Sequence, residues 1–277
     1  MLDALPPVLT DLGERWQIEF DSLIRRGSMS VVIRCRTAND RPAVLKVCVD
    51  RRRILDEAAA LRSWRTVHVP AVLDVDEKDG ALLIEAIEPG TPLAESPAYP
   101  DVESVAALLR SLQAGGRPGS VYQPVAERIV NLFGSSSKLY KWKPGLVKLI
   151  PPEVYERARE LALRLAGEPS AGVLLHGDLT PVNILDGGVA RGLVAIDPAP
   201  CVGDPAFDVV DLMLWRADDV ATIDWRVEQL APAIGAETGR LHRWCAAFAG
   251  MVALEIAERS SDVQPHLAPL VELASRV

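Results

Sequence analysis

The segment LLHGDLTPVNIL, residues 174–185, places polar side chains between two apolar pairs and follows neither a helical nor a strand period. Asp178 and Asn183 lie five residues apart in this segment. A second apolar run, GLVAI, follows the polar turn DGGVARG and ends at Asp197. If GLVAI pairs with NILD across that turn, three oxygen-bearing side chains meet at one end of a hairpin. The segment therefore predicts a polar site on a loop.

The residue types at this site are typical of phosphoryl transfer. Mg²⁺ prefers carboxylate and amide oxygens, so Asn183 and Asp197 suit a magnesium ion that carries nucleotide phosphates. Asp178 is then free to accept the proton of an acceptor hydroxyl, as the catalytic-loop Asp of kinases does. The alternative interpretation is that Asp178 and Asn183 only shape a turn.

Lys46 lies in the apolar run AVLKVCV, where a lysine is costly unless an anion receives it. Glu57, in the helix expected to follow, is the candidate partner, although Asp56 is adjacent and helix phase read from sequence is loose. This pair would hold the ammonium over the α- and β-phosphates of a nucleotide. The alternative is an edge-strand lysine that faces solvent.

Two further segments are candidates for nucleotide contacts. The turn RGSMSVV could cap phosphates with its backbone amides and with the hydroxyls of Ser28 and Ser30, but Gly27 is its only glycine and a plain hairpin turn is the alternative. The segment LLIEAIEPG could offer backbone groups between Glu85 and Ile87 to the edge of an adenine.

The apolar pattern changes along the chain and predicts an α+β fold with two lobes. Residues 1–88 indicate a small, mainly antiparallel sheet with one helix, and residues 89–277 indicate a larger helical lobe that contains the polar hairpin. Apolar residues recur at helical spacing in seven segments: 101–115, 122–134, 151–168, 206–217, 221–232, 238–260 and 264–276.

The amino-acid composition limits the kinds of molecule that the chain is expected to bind. The net charge of −8 and the pI near 5.1 argue against nucleic acid or an anionic membrane and favour a small cationic partner. The four cysteines have neither CxxC nor zinc-ligand spacing. The acidic N-terminus and the lack of an apolar run of membrane-spanning length predict a cytoplasmic protein, which we expect to be a monomer or a weak dimer.

HGDLTPVNIL resembles the catalytic loop of the aminoglycoside phosphotransferase and choline kinase superfamily, which shares the two-lobed protein-kinase-like fold. AIDPAPCVGDPAFDVVDLM, residues 195–213, resembles the branch that contains streptomycin 6-kinase and hydroxyurea phosphotransferase. The resemblance implies these roles: Asp178 as catalytic base, Asn183 and Asp197 as magnesium ligands, Lys46 with Glu57 as the phosphate-side ion pair, and His176 as a brace for the loop. It also implies that Gly203, Asp204 and Asp208 organise the following turn and helix, with Asp204 bonding to the loop backbone.

The resemblance implies an ATP- and Mg²⁺-dependent O-phosphotransferase for a small cationic acceptor, with a streptomycin-type aminoglycoside as the leading candidate and GTP as an open alternative to ATP. A metabolic kinase for a sugar, an amino alcohol or a hydroxyurea-like compound is the second interpretation, and a nucleotide-binding pseudokinase is the third. Five acidic residues are candidates for binding the acceptor, although a solvated helix face is the better explanation for any single one, and we expect one or two of the five to reach the pocket. They are Asp211, Asp218, Asp219, Asp224 and Glu228.

The lysine-rich segment SSSKLYKWKPGLVK, residues 135–148, allows more than one interpretation. A basic lid for an anionic acceptor and a nucleic-acid patch are two of them. We favour a mobile loop insertion over the cleft, because the segment is short, the chain is acidic, and Gly134, Pro144 and Gly145 are typical of loops.

Overall fold

The N-terminal part of the chain is a five-stranded antiparallel sheet with a helix on each face. The computed structural model describes residues 5–24, 30–119, 121–259 and 266–277. The elements are α1 (Leu5–Trp16), β1 (Ile18–Ile24), β2 (Ser30–Thr37), β3 (Pro42–Cys48), α2 (Arg51–Trp64), β4 (Val72–Asp76) and β5 (Ala81–Glu85). The spatial order of the strands is β1-β2-β3-β5-β4.

The two faces of this sheet are buried against different helices. On one face, Leu45 of β3 and Leu83 of β5 lie opposite each other and join the cluster that contains Leu12 of α1. On the other face, Lys46 lies opposite Leu82, which belongs to the larger cluster around α2. Because side chains alternate along a strand, Lys46 is directed to the α2 side of the sheet.

The sequence patterns do not predict α1 and β1. The segment that forms α1 contains Pro6 and Pro7, which are typical of a break in regular structure but are tolerated in the first turn of a helix. β1 is an edge strand, and most of its side chains are exposed, so it lacks the clean alternation that indicates a strand.

The rest of the chain is mainly helical, which confirms the predicted α+β class. The short strands β6 and β7 flank β10, and β8 pairs with β9. The helices are α3 (Val102–Gly115), α4 (Val125–Ser136), α5 (Leu139–Trp142), α6 (Pro152–Gly167), α7 (Gly188–Arg191), α8 (Val210–Leu214), α9 (Val220–Leu230), α10 (Thr238–Arg259) and α11 (Leu267–Ala274). The strands are β6 (Gln123–Pro124), β7 (Val173–Leu175), β8 (Ile184–Asp186), β9 (Leu193–Ala195) and β10 (Cys201–Gly203).

Most predicted helices occur within a few residues of their expected bounds. The segment expected to be helical over 206–217 is shorter, because a 3₁₀ turn at Phe207–Val209 precedes α8. The predicted boundary between lobes at residue 88 falls in the connection between β5 and α3 and stays a prediction. Within the described ranges, every helix is too short or too polar to cross a membrane.

The lysine-rich segment is helical, so its predicted loop conformation is wrong. It forms α5 and a 3₁₀ helix at Pro144–Lys148. Leu139 and Leu146 are buried, and the hydroxyl of Tyr140 donates to the carbonyl of Ile150 at 2.9 Å. These contacts attach the segment to the core and leave its lysines exposed.

Trp64, at the end of α2, connects the sheet side of the molecule to the helices that follow. It is 1% exposed, and its ring lies 6.1 Å from that of His176 with an interplanar angle of 21°. Its backbone carbonyl lies so close to α3 that a Cβ on Gly115 would be 2.1 Å from that oxygen. The approach of α2 to α3 therefore requires glycine at position 115.

We expect Trp64→Ala to lower the free energy of unfolding by about 3–5 kcal/mol, because it removes a fully buried aromatic side chain and leaves a cavity. Urea denaturation measures this change. Trp142→Ala is the matched control, since Trp142 is 72% exposed and its loss should change stability by less than about 0.5 kcal/mol. Equal effects of the two substitutions would contradict the proposed packing role.

Candidate active site

The loop between β7 and β8 brings Asp178 and Asn183 into contact. The Nδ2 group of Asn183 donates to Asp178 Oδ2 and to the Asp178 carbonyl, each at 2.9 Å. Asn183 is buried, whereas the side chain of Asp178 is 32% exposed. The loop therefore fixes one carboxylate oxygen while the carboxyl group stays accessible from outside.

Asp208 anchors the start of this loop. Its carboxylate accepts the backbone N–H of His176 at 2.6 Å and that of Gly177 at 2.8 Å. Burial raises the pKa of Asp208 to about 6, against the opposing effect of these two backbone donors. Gly177 has φ of +76°, and a Cβ there would lie 2.0 Å from the carbonyl oxygen of Ala199. The turn at position 177 therefore requires glycine.

Asp204 does not bond to the catalytic loop, contrary to the expectation drawn from the resemblance. Its Oδ2 accepts from Arg240 at 2.5 Å and from the indole N–H of Trp244 at 2.8 Å, and its Oδ1 accepts the backbone N–H of Ala206 at 2.9 Å. Asp204 thus attaches the turn to α10. The loop backbone is bound by Asp208 instead.

His176 lies beneath the loop as a neutral side chain. It is fully buried, and burial lowers its pKa to about 4. An uncharged ring with its proton on Nε2 donates to the carbonyl of Ile196, 3.0 Å away, and stacks against Trp64. This environment suits a brace and gives the imidazole no exposed face for proton transfer.

Lys46 binds two carboxylates at the α2 side of the sheet. Its Nζ lies 2.6 and 2.7 Å from the two carboxylate oxygens of Glu57 and 2.7 Å from Asp197 Oδ1. Burial by itself lowers the pKa of Lys46, but the two carboxylates outweigh burial and raise it. Asp56, the other candidate partner, binds Arg52 at 2.8 Å. The alternatives of an edge strand and of pairing with Asp56 therefore do not hold.

Asp197, the second residue after β9, adopts a left-handed backbone conformation with φ of +56°. Its neighbour Ile196 donates its backbone N–H to the carbonyl of Asn183 at 2.8 Å, which brings Asp197 beside the catalytic loop. Arg53 of α2 lies 3.6 Å from the oxygen that also contacts Lys46. Burial opposes ionisation of Asp197, but Lys46 outweighs it and lowers the pKa. Asp197 is thus held as a carboxylate.

Two side-chain oxygen atoms at this site are suitable ligands for Mg²⁺. Among the described residues, Asn183 Oδ1 and Asp197 Oδ2 have no hydrogen-bond partner in the protein. Both are hard oxygen donors of the kind that Mg²⁺ binds. The described ranges contain no group of three or more His, Cys, Asp or Glu residues arranged to hold a metal by themselves. A magnesium ion held by Asn183 and Asp197 would therefore need phosphate and water oxygens to complete its ligands.

Arg128 also contacts the loop, although no sequence pattern predicts this. From α4 it donates to Asp178 Oδ1 at 3.1 Å and to the Gly177 carbonyl at 2.9 Å. Burial raises the pKa of Asp178, and Arg128 is the largest opposing influence. The sequence around Arg128, VAERIV, shows only the apolar spacing of a helix, so no local signal marks this arginine as different from other helix arginines.

The residues predicted to contact the nucleotide fall into three groups. Gly27 and Ser28 lie outside the described residues, and Ser30 is the first residue of β2, opposite Cys48. The backbone N–H of Glu85 donates to the carbonyl of Ala71 at 2.9 Å, and its carboxylate binds Arg191 at 2.8 Å, so Glu85 has no free backbone donor for a base. In the part of the chain that the structure describes, the backbone N–H and C=O of Ile87 have no partner. Ile87 is therefore the better candidate for the adenine edge.

The five acidic candidates for acceptor binding do not form one group. Asp211 lies on α8, and its pKa is raised to about 7, first by burial and then by the charge of Asp178, which places it near the catalytic loop. The other four have different surroundings. Asp218 lies 3.3 Å from His266, Asp219 caps α9 through Thr222, and Asp224 and Glu228 line a surface depression with His242, Arg243 and Arg276.

Comparison with known proteins agrees with the resemblance seen in the sequence. The sequence model of the family described as "Aminoglycoside/hydroxyurea antibiotic resistance kinase" matches residues 15–260. Streptomycin 6-kinase from Streptomyces griseus is 31% identical over 220 residues, which are 78% of this chain and 67% of that protein. Hydroxyurea phosphotransferase from Kitasatospora aureofaciens is 28% identical over 252 residues, which are 88% of this chain and 70% of that protein.

Solved structures share the fold at low sequence identity. The aminoglycoside phosphotransferase APH(4)-Ia, crystallised with AMP-PNP and hygromycin B, superimposes with a TM-score of 0.60 at 17% identity, covering 97% of this chain and 96% of the other. This likeness confirms the predicted protein-kinase-like α+β fold.

We expect Gly177→Ala to lower the free energy of unfolding by more than about 1 kcal/mol, because alanine is strained at this positive φ and its Cβ would meet the Ala199 carbonyl. Chemical denaturation measures the change. Gly134→Ala in α4 is the matched control, since no atom lies within 4 Å of the added Cβ and alanine favours the helix by about 0.5–1 kcal/mol. A neutral Gly177→Ala variant would show that the loop does not need this turn.

Proposed function

Because the chain belongs to the aminoglycoside/hydroxyurea antibiotic resistance kinase family, we propose that it transfers the γ-phosphoryl group of ATP, bound with Mg²⁺, to a hydroxyl group of a small cationic acceptor. The chain is a phosphotransferase of the small-molecule kinase type. The leading acceptor is a streptomycin-type aminoglycoside, since the relatives include streptomycin kinases, and the leading biological role is antibiotic inactivation.

One observation carries the proposal: the four side chains that phosphoryl transfer requires form a connected network. Lys46 contacts Asp197 at 2.7 Å, and Asn183 contacts Asp178 at 2.9 Å. The backbone bond from Ile196 to Asn183 joins the two pairs. If Asp178 and Asn183 only shaped a turn, nothing would require the buried Lys46 of the sheet to lie in the same network. A common role in phosphoryl transfer therefore explains the arrangement better.

Asp178 is the base in the proposed reaction. Asn183 orients its Oδ2, and the carboxyl group is partly exposed, so an acceptor hydroxyl can approach it. The acceptor oxygen forms a bond to the γ-phosphorus while the bond from that phosphorus to the β–γ bridging oxygen breaks. The hydroxyl proton passes to Asp178, and ADP leaves with the bridging oxygen. Positioning of this kind supplies most of the rate in phosphoryl transfer.

The remaining residues neutralise and hold the nucleotide. Bound Mg²⁺ supplies charge neutralisation at the phosphates, and Asn183 and Asp197 are the residues that would hold it. Lys46, kept in place by Glu57, faces the same region and is charged. Ile87, two residues after β5, has a backbone N–H and C=O that bond to none of the described residues, so it could bind an adenine edge.

The charge near the loop supports a cationic acceptor. Burial raises the pKa of Asp211 to about 7, and the negative charges of Asp178 and Glu255 add to this effect. Carboxylates in such a position favour ammonium or guanidinium groups. A metabolic kinase for an endogenous sugar or amino alcohol would use the same catalytic residues, and a hydroxyurea-like acceptor is consistent with the relative that phosphorylates hydroxyurea.

An acceptor panel tests the proposed function. Purified protein is incubated with ATP and Mg²⁺ and, in separate reactions, with streptomycin, other aminoglycosides, hydroxyurea and common polyols or amino alcohols. We expect acceptor-dependent ADP release and a phosphorylated product by mass spectrometry, with streptomycin as the best substrate. Preference for an uncharged polyol would support the metabolic kinase. Nucleotide binding without transfer to any member would reject the transferase proposal.

We expect Asp178→Ala to lower kcat by about 10²–10⁴-fold, the usual range for loss of a general base, and to leave ATP affinity unchanged. Steady-state kinetics and calorimetric titration of ATP measure the two quantities. Asp11→Ala, on the exposed side of α1, is the matched control and should behave as the wild type. Full turnover by Asp178→Ala would exclude the proposed base.

We expect Asp197→Ala to remove most of the effect of Mg²⁺ on nucleotide affinity, because it removes one of the two metal ligands. The affinity for the Mg²⁺-nucleotide complex should fall at least about 10-fold, because even a residue that only hydrogen-bonds to a metal ligand contributes about that much to metal affinity. Titration of ATP with and without Mg²⁺ measures this effect. Asp56→Ala is the control, since Asp56 binds Arg52 on the exposed side of α2.

A further inference from the structure

We propose that Arg128 is a positioning residue for phosphoryl transfer, which holds the carboxylate of Asp178 and the peptide of Gly177 in the reactive arrangement. This inference rests on the proposed function of Asp178. It assigns a role to a helix arginine that lies outside both the loop and the segment after Asp197.

The contacts of Arg128 differ from those of a surface ion pair. Its Nε donates to the Gly177 carbonyl at 2.9 Å, and its Nη2 donates to Asp178 Oδ1 at 3.1 Å. A planar guanidinium fixes the direction of both donors at once. Because Asn183 binds the other carboxylate oxygen, Asp178 is held from two sides. Rotation of the carboxylate would break one of these bonds.

The fold places Arg128 at this position through β6 and β10. β6, the two residues before α4, runs parallel to β10, with Gln123 opposite Cys201 and Pro124 opposite Val202. β10 also pairs with β7, the strand that leads into the catalytic loop. The first turn of α4 is therefore fixed beside the loop, and Arg128 extends from the following turn.

Gly203 allows this close approach. A Cβ on Gly203 would lie 2.4 Å from Cγ1 of Val125, the first residue of α4. The neighbour is a packed, β-branched side chain in the core, so it cannot move aside easily. Gly203, the last residue of β10, thus allows α4 to pack closely against β10, the strand that pairs with β7 before the loop. The glycine of the Gly-Asp-Pro sequence at 203–205 therefore helps to determine the position of Arg128.

A role in fold stability alone is the competing explanation, and it predicts different measurements. A residue that only stabilises the fold would lower the amount of active protein without changing kcat of the folded fraction. A positioning residue changes kcat of the folded protein and leaves the KM for ATP unchanged. A misplacement of about 1 Å costs about 100-fold in rate, which sets the expected size of the effect.

Kinetics of Arg128 variants test the proposal with the acceptor found in the panel. We expect Arg128→Met to lower kcat about 100-fold, with the same KM for ATP and the same circular dichroism spectrum. Arg128→Lys should recover little activity, because one ammonium cannot reproduce the guanidinium fork. Arg159→Met is the matched control, since Arg159 forms an exposed pair with Glu156 on α6 at 3.3 Å. Wild-type kcat in Arg128→Met would overturn the proposal.

Chemical rescue separates positioning from folding. We expect guanidinium ions, at concentrations too low to denature the protein, to restore part of kcat in Arg128→Ala, with sodium chloride at equal ionic strength having no effect. We also expect Gly203→Ala to lower kcat without a change in the KM for ATP, because it moves α4 away from the loop. Failure of guanidinium to raise the kcat of Arg128→Ala would overturn the proposal.

A crystal structure of Arg128→Met separates this proposal from the proposed function. If the wild type transfers phosphoryl groups to no acceptor, the proposed function is rejected. The positions of Asp178 and Gly177 in the variant structure still show whether Arg128 holds them in place. A displaced carboxylate in Arg128→Met supports the positioning role. A carboxylate that keeps its place and its bond to Asn183 overturns it.

Discussion

The buried ammonium of Lys46 is the constraint on which the rest of the site depends. A lysine that is 6% exposed in a central strand costs several kcal/mol of desolvation unless carboxylates surround it. Glu57 and Asp197 supply them, and they come from α2 and from the loop after β9. One charge therefore fixes the relative positions of a strand, a helix and a loop that are distant in sequence, and removing either carboxylate would leave a buried charge without full compensation.

The catalytic loop is held by a different principle, since most of its anchors act on backbone atoms. Asp208 binds two consecutive N–H groups, His176 and Ala199 are joined through a backbone bond of 2.9 Å, and Arg128 binds the Gly177 carbonyl. Asn183 and Arg128 in turn hold the two carboxylate oxygens of Asp178, so both the loop and this side chain are fixed in place. Asp208 on the buried side of the loop and Arg128 of α4 hold the loop in place, whereas the face that carries the carboxyl group of Asp178 stays accessible.

The sequence predicts those site residues whose polar side chains stand out from an otherwise apolar segment. Lys46 in an apolar strand and Asp178 with Asn183 in a segment without period are of this kind, and the structure brings them together. Arg128 has no such signal, because it lies in an ordinary amphipathic helix and only the pairing of β6 with β10 directs it to the loop. The edge strand β1 and the Pro-containing α1 were missed for a similar reason, since their local patterns are weak. The acidic character of the five candidates for acceptor binding does not tell where each side chain lies in the fold, and among these five only Asp211 lies near the loop.

The three carboxylate oxygens around Lys46 have a thermodynamic consequence for ligand binding. An ammonium group has three hydrogens, and three carboxylate oxygens already lie within 2.7 Å of Nζ. A phosphate oxygen that reaches Lys46 must therefore displace one of them, and Asp197 is the more exposed of the two partners. If a nucleotide binds at this lysine as proposed, binding is an exchange of one anion for another, and the observed affinity is the difference between two ion pairs. The same exchange would release Asp197 Oδ1, so occupancy of the phosphate position and the freedom of this carboxylate would be linked equilibria.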